Sequence, residues 1–182
     1  MHPRCRCVIV YREIDDARRN LLQTGGVNGN MTEMESSEFL RRRKAPDGHE
    51  IIDKPTFHKL TASFISSGGE MIRGEEAARH LKDTKAYASY MAGANIAFIK
   101  DDATVSDVLE EMYHAYQDRA KMFGEVLTYE VRLRREIDAQ KYLLKVAERY
   151  KIPAKEIEVT KENLRYYEEQ LERLEAEKNG NS

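Results

Sequence analysis

The stretch Thr104-Val-Ser-Asp-Val-Leu-Glu-Glu-Met-Tyr-His-Ala-Tyr-Gln117 decides how the chain folds. Its first four residues follow the pattern of a capping box and predict that a helix begins there. On a helical wheel Glu110, Glu111 and His114 fall on one side, and the apolar residues gather in an arc on the other side: Val105, Val108, Leu109, Met112, Tyr113 and Tyr116. The stretch therefore predicts an amphipathic helix that carries two carboxylates and one imidazole on a single side.

The spacing within this helix is typical of a metal site. Glu110 and His114 stand four residues apart, so one helical turn brings their side chains to a common point. The arrangement matches the His-Glu-x-x-His zinc helix, in which two ligands lie one turn apart and the intervening Glu acts as a general base. Glu111 takes the place of that base. The alternative interpretation is a solvated polar face with one Glu–His pair.

A third ligand is expected from the helix that follows. Glu136 comes twenty-two residues after His114 and lies inside a stripe of apolar residues. Burial of a carboxylate is costly unless a cation or a hydrogen-bond donor meets it. Sites similar to the His-Glu-x-x-His zinc helix often take a third ligand from a Glu on the next helix, and this resemblance implies that Glu136 joins Glu110 and His114. The alternative is a local pair between Glu136 and Arg132 or Gln140 on its own helix.

Composition and charge exclude several classes of protein. The 182 residues include 30 Lys and Arg against 32 Asp and Glu, which leaves a formal net charge of −2. A nucleic-acid-binding protein would show a strong basic excess, so no nucleic-acid partner is expected. The sequence has neither an apolar run long enough for a membrane span nor a signal peptide, so no membrane association is expected. Its two cysteines both lie in the first seven residues and cannot form a disulfide scaffold.

The hydrophobic pattern predicts an α+β fold that is mostly helical, with a short β-hairpin edge packed on three helices. Two apolar segments around Gly93 suit the hairpin, and helical periodicity indicates the helices. Shorter helices are expected over 57–65 and 75–81. The hairpin strands and the three long helices are expected at 86–91, 95–100, 104–121, 124–150 and 160–179.

Composition also divides the chain into three parts. Residues 1–22 combine a β-branched segment with a brief charged helix. Residues 23–53 are rich in turn-forming and charged residues and predict a flexible linker. Residues 54–178 hold the hairpin and the long helices, and therefore form the main domain.

The order and spacing of these motifs resemble the zincin-like metallopeptidase domains found at the ends of phage and polymorphic-toxin proteins. The resemblance covers residues 85–175 and implies a zincin-like fold for 54–178, with metal-dependent peptidase or toxin-type activity on a protein substrate. It implies that Glu111 is the catalytic base and that Glu110, His114 and Glu136 hold the metal. The segments that carry it are Ala94-Asn-Ile-Ala-Phe-Ile-Lys100, Val108–Gln117, Arg135–Leu144, Tyr150-Lys-Ile-Pro153 and Thr160–Tyr167.

The beginning of the sequence carries a separate resemblance. His2-Pro-Arg-Cys-Arg-Cys7, followed by Val-Ile-Val-Tyr, is similar to the closing segment of the phage Mu F-like minor head protein domain. This similarity implies that 1–22 are the remnant of a head-morphogenesis domain, that the partners are phage head or portal proteins, and that the protein is located in the virion or the bacterial cytoplasm. His2, Cys5 and Cys7 form a second candidate metal site, and a structural remnant with two free thiols is the alternative.

One departure from the family pattern bears on the chemistry. Position 110 is a Glu where the family more often has a His. Two carboxylates neutralise a divalent ion, so a bound water should be less acidic than in a site with two imidazoles. Zinc is the expected metal, and the oxygen-rich ligand set shifts the preference toward manganese or iron. Two functions therefore remain open: a metal-dependent hydrolase, and a non-catalytic phage structural or head-assembly module.

Overall fold

The computed structural model describes residues 44, 45, 47–82, 86–124, 126 and 128–180. The segment that resembles a head-morphogenesis domain, 1–22, lies outside the described residues, as do His2, Cys5 and Cys7 and the first part of the predicted linker.

The described residues form five helices and three strands, and the prediction of a mostly helical α+β fold is confirmed. The three strands lie early in this part of the chain, and the three longest helices follow them. In chain order the elements are α1 (Lys54–Ser66), β1 (Glu70–Arg73), α2 (Gly74–His80), β2 (Ala88–Met91), β3 (Ile96–Ile99), α3 (Val105–Arg119), α4 (Tyr129–Tyr150) and α5 (Ala154–Gly180).

The sheet has the strand order β1-β3-β2. The predicted hairpin is present: β2 pairs antiparallel with β3, with Tyr90 opposite Ala97. Gly93 and Asn95 take the positive φ angles of 79° and 55° in the loop between them, a region that glycine and asparagine tolerate best. The sequence does not predict β1, which pairs parallel with β3. As a result β3 is central, and β2 is an edge strand next to α3.

The ends of the long helices follow local chemistry. The capping box predicted for α3 is present, because Thr104 Oγ1 accepts from the Asp107 backbone N–H while Asp107 accepts from the Thr104 N–H. Helix α4 begins at Tyr129, five residues later than predicted, since Gly124 has a φ of 77° and keeps the preceding segment in a turn. Helix α5 begins at Ala154, six residues earlier than predicted. The reason is that the carbonyl of Pro153 accepts from the first turn of the new helix.

The last ten residues of the predicted linker pack on the domain. Ala45, His49 and Ile52 are buried, and the Ile52 N–H donates to the carbonyl of Ala103 at 2.9 Å. Lys155 at the start of α5 donates to the backbone carbonyl of Asp47. The described residues of 44–53 therefore contribute buried side chains to the domain, in a segment that the sequence predicts to be part of a flexible linker.

Helices α3 and α4 run antiparallel through the centre of the fold. Their cross-helix contacts show this direction, since His114 lies opposite Glu136 whereas Glu110, one turn earlier, lies opposite Gln140. The main apolar core fills the space between α3, α4 and the sheet, with Val108, Ile99 and Leu143 at its centre. Although α5 has 27 residues, no helix in the described part of the chain is long and apolar enough to cross a membrane.

Candidate metal centre

The side of α3 that carries Glu110 and His114 is buried against α4. Glu110, His114 and Glu136 are only 5%, 1% and 2% exposed. This result excludes the solvated face that the helical wheel allowed. The carboxylate of Glu136 also makes no hydrogen bond to Arg132 or Gln140, which was the alternative. The polar side of α3 is therefore buried in the protein. In contrast, Tyr116 on the predicted apolar side is 48% exposed. The contacts of Glu110, His114 and Glu136 must therefore explain why these polar side chains are buried.

The three side chains converge. One ligand atom from each of Glu110, His114 and Glu136 lies within 4.8 Å of the others. His114 Nε2 and Glu136 Oε2 are 3.4 Å apart, close enough for a shared cation or an ion pair. An imidazole nitrogen with two carboxylate oxygens is a donor set that zinc, manganese and iron accept. The three predicted ligands therefore form one group that could hold a metal ion.

Several atoms of this group lack hydrogen-bond partners. His114 Nε2 and both carboxylate oxygens of Glu136 are fully buried, and apart from the 3.4 Å contact of Nε2 with Glu136 Oε2 they have no partner among the described residues. A buried polar atom without a partner costs on the order of 1–3 kcal/mol, and a charged one costs more. A divalent cation between the two side chains would satisfy both. The orphaned atoms thus fit a metal at this position.

Gln117 fixes which nitrogen of His114 faces the group. The Gln117 amide donates through Nε2 to the carbonyl of Arg135 at 3.1 Å and to Asp138 Oδ2 at 2.9 Å. Its Oε1 must therefore accept, and it lies 2.8 Å from His114 Nδ1. Nδ1 is then the protonated nitrogen of a neutral His114, which leaves the lone pair on Nε2 directed at Glu136. This is the tautomer that a metal ligand requires.

Gln140 performs the equivalent role for Glu110. Its Nε2 donates to Glu110 Oε1 at 2.6 Å, and Gln140 is fully buried. The hydrogen bond holds one carboxylate oxygen of Glu110 in place. Two glutamines, one on each helix, therefore orient two of the three candidate ligands.

Glu111 is placed differently from the three candidate ligands. Its Oε2 accepts from the backbone N–H of Tyr90 at 2.6 Å, and the residue is 2% exposed. The bond attaches α3 to the edge strand β2 through a main-chain donor that the sheet does not use. Glu111 lies outside the Glu110–His114–Glu136 group but close enough to influence the charge on His114.

The electrostatics of the group centre on His114. Burial alone would lower the pKa of this imidazole, but the carboxylates of Glu136, Glu111 and Glu110 outweigh it and raise the pKa to about 9. Without a metal, His114 is therefore protonated at neutral pH and pairs with Glu136. A metal cation held by these three side chains would take the place of this proton. In both cases the surrounding carboxylates stabilise a positive charge next to His114 Nε2.

The sequence interpretation missed the residues that support the ligands. Gln117 comes three residues after His114, and Gln140 four residues after Glu136, so helical spacing alone places each beside a predicted ligand. The helical wheel places Tyr113 in the apolar arc. Its hydroxyl nevertheless donates a hydrogen bond to Asp138 Oδ2 at 2.9 Å. A search for polar residues one turn from each candidate ligand would have found both glutamines.

Comparisons of the chain with protein-family models, with curated proteins and with solved structures give no match. The class of protein is therefore defined by fold and site alone. It is a mostly helical α+β domain with a small sheet, in which two antiparallel helices bury a Glu–His–Glu group able to hold a metal ion.

Proposed function

We propose that the protein binds one divalent cation through Glu110, His114 and Glu136. The observation that supports this proposal is the set of buried, unpartnered atoms on His114 and Glu136, together with the fixed tautomer of the imidazole. Zinc is the first candidate, and manganese or iron follows from the two carboxylates.

We further propose that the protein is a zincin-like metal-dependent hydrolase of peptidase or toxin type, belonging to a phage minor head protein. When bound, a divalent cation lowers the pKa of a water and polarises a carbonyl. Glu111 would take the proton of that water at its carboxylate. The hydrogen bond from the Tyr90 N–H fixes the orientation of the Glu111 carboxylate, and a general base needs a fixed position. The substrate is a protein, as the family resemblance suggests.

One observation favours a second candidate, a non-catalytic phage structural or head-assembly module. The three candidate ligands are 1–5% exposed. Closed metal sites are typical of structural roles, whereas catalytic sites keep a position open to water and substrate. In this case the metal would join α3 to α4, and the partners would be phage head or portal proteins.

The decisive experiment compares the native protein with Glu111→Gln. Glutamine retains an oxygen to accept from the Tyr90 N–H but cannot take a proton. We expect hydrolysis of a denatured-protein substrate to fall by about 10²–10⁴-fold while the metal content stays the same. Glu158→Gln, an exposed position on α5, makes the same change away from the centre and should leave hydrolysis unaffected.

Three outcomes separate the proposals. Bound metal with no hydrolysis by the native protein would exclude the hydrolase and leave the structural module. Loss of particle assembly after deletion of 55–182 would support that module, and normal particles would count against it. Absence of metal from the native protein, with no thermal shift on adding zinc or manganese, would overturn the metal proposal itself.

A further inference from the structure

A groove on the opposite face of the molecule's central helix has features of a binding site. It lies between α1, α3 and α4 and has a volume of about 630 Å³. Apolar side chains from α1 and α3 form part of its lining, including Leu60, Phe64 and Met112. Glu110, His114 and Glu136 do not line it, so this groove is distinct from the candidate metal centre.

The charge of the groove is of one sign. Lys59, Arg119 and Arg149 line it, and none of the described residues in its lining is an Asp or Glu. The chain as a whole has a net charge of −2, so this concentration of positive charge is local. A surface of this kind attracts anionic partners and speeds their association.

Aromatic rings lie among these cations. Tyr113 and Tyr142 stack with their centroids 4.0 Å apart, and both line the groove together with Tyr116 and Tyr150. Tyr116 is 48% exposed, which is unusual for a large ring on a core helix. Tyrosine is enriched where proteins bind partners, because it offers a large apolar area and a polar tip.

The length of the groove indicates the kind of ligand. Its lining on α3 extends from Leu109 to Arg119, about 15 Å at the helical rise of ~1.5 Å per residue. Since α4 is antiparallel to α3, Arg149 at the end of α4 lies toward the end of the groove that is remote from Arg119. Cations at two ends with aromatic rings between them match an extended chain of about four to five residues. A single nucleotide would be too short to reach both ends.

We propose that this groove binds an acidic peptide segment of a partner protein, with carboxylates near both ends and an aromatic or aliphatic side chain between them. The terminal carboxylates pair with Arg119 at one end and with Arg149 and Lys59 toward the other. The central side chain packs on Tyr116 and the neighbouring apolar residues. The proposal does not depend on the metal, because none of the three candidate ligands lines the groove.

The test is fluorescence anisotropy with a labelled peptide, Glu-Glu-Phe-Leu-Phe-Glu-Glu, added to the whole chain in the presence of a chelator. A peptide with Lys in place of each Glu is the control for charge. We expect the acidic peptide to bind, the basic one to bind at least tenfold more weakly, and added salt to weaken binding.

Variants locate the site. Arg119→Ala combined with Arg149→Ala should weaken binding of the acidic peptide by about tenfold or more, and Tyr116→Ala should weaken it by about threefold to tenfold. Lys161→Ala combined with Arg165→Ala removes the same charge from exposed positions on α5 and should change binding less than twofold. Circular dichroism confirms that each variant is folded.

Several results would overturn the proposal. These are no binding of the acidic peptide at about 1 mM, equal binding of the two peptides, and equal losses in the two double variants. Displacement of the peptide by AMP at similar concentration would show that the groove recognises a small anion and not a peptide chain. The metal proposal stands or falls separately, because these measurements are made without metal.

Discussion

Two buried glutamates on neighbouring helices show how differently the fold treats the same side chain. Glu136 on α4 and Glu156 on α5 are both 2% exposed. Glu156 Oε2 accepts two hydrogen bonds from Ser106, one from the backbone N–H at 3.0 Å and one from the hydroxyl at 2.7 Å. Glu136 accepts none from any described residue and faces His114 Nε2 at 3.4 Å.

The difference shows that burial alone does not mark a functional carboxylate. Glu156 lies at the first turn of α3, where free backbone N–H groups favour an acceptor, and so it links α5 to α3. Burial, the largest influence, raises its pKa to about 7 despite the donors of Ser106. Glu156 therefore adapts by protonation and hydrogen bonding. Glu136 lies opposite His114 Nε2, which Gln117 orients toward it, so that a proton or a metal cation can lie between the two side chains.

The largest effect is expected from removing His114. His114→Ala deletes the nitrogen ligand and should weaken zinc or manganese binding by ~10³-fold or more, because each protein ligand contributes several kcal/mol to a site of this kind. Elemental analysis after dialysis and calorimetric titration measure the change. Glu136→Gln keeps the side-chain volume and should reduce affinity in the same way.

Glu156→Gln is the matched control, since it alters the other buried glutamate. We expect its metal content and affinity to equal those of the native protein. If His114→Ala retained metal, or if Glu156→Gln lost it, the division between the two glutamates would be wrong.

The metal affinity should depend steeply on pH. The pKa of His114 in the metal-free protein is raised to about 9, so at neutral pH a proton must leave before Nε2 can bind a metal. Affinity should therefore increase about tenfold per pH unit up to about pH 9. Competition with a chelator of known pH behaviour measures it, and a flat profile would contradict the position of His114 among the carboxylates.

The stability of the metal-free protein should depend on pH in the opposite direction to the metal affinity. The folded pKa of His114 lies above its ordinary value of 6.5, so the stability that its proton contributes is complete below pH 6.5 and is lost as the pH rises through 9. The metal-free protein should thus unfold more easily at pH 10 than at pH 6. A metal-bound sample should not show this loss.

The raised pKa of Glu156 predicts a second pH dependence of the stability. The pKa of Glu156 is raised from 4.5 to about 7, so its contribution to stability is complete below pH 4.5 and is lost as the pH rises through 7. Between pH 4.5 and 8 the native protein should lose up to about 3 kcal/mol of unfolding free energy relative to Glu156→Gln. Urea unfolding at several pH values measures the difference. Parallel profiles for the two proteins would show that the carboxylate stays charged.

The elements predicted from sequence are those with strong local signals. The capping residues of α3 and the apolar segments around Gly93 mark a helix and a hairpin without reference to the rest of the chain. Strand β1 has only four residues, between a glycine-containing turn and helix α2, and its pairing partner is more than twenty residues away. Pro153 cannot continue a helix and so predicts that the helix over 124–150 ends before it, but the sequence pattern does not indicate that a new helix begins directly after it.

The candidate site was predictable to a similar degree. Spacing places Glu110, His114 and Glu136 together, because one helical turn and an antiparallel return are regular geometry. The bond between Glu111 and the Tyr90 N–H was not predictable, since it requires β2 to be the edge strand beside α3. The hydrogen bonds from Ser106 to Glu156 were likewise not predictable, because they depend on the packing of α5 against α3.

The smallest of these effects is expected from the side chain that orients the imidazole. Gln117→Leu keeps a similar volume but removes the acceptor for His114 Nδ1, so the ring is no longer held with Nε2 toward Glu136. Loss of such a supporting hydrogen bond typically weakens metal binding by about 10–100-fold, and the lower end is expected here because burial still restrains the ring. Gln170→Leu on α5 makes the same change elsewhere and should leave the affinity unaltered. Gln117 is not itself a candidate ligand. A variant that remained folded yet bound metal as tightly as the native protein would therefore show that this amide does not set the tautomer of His114.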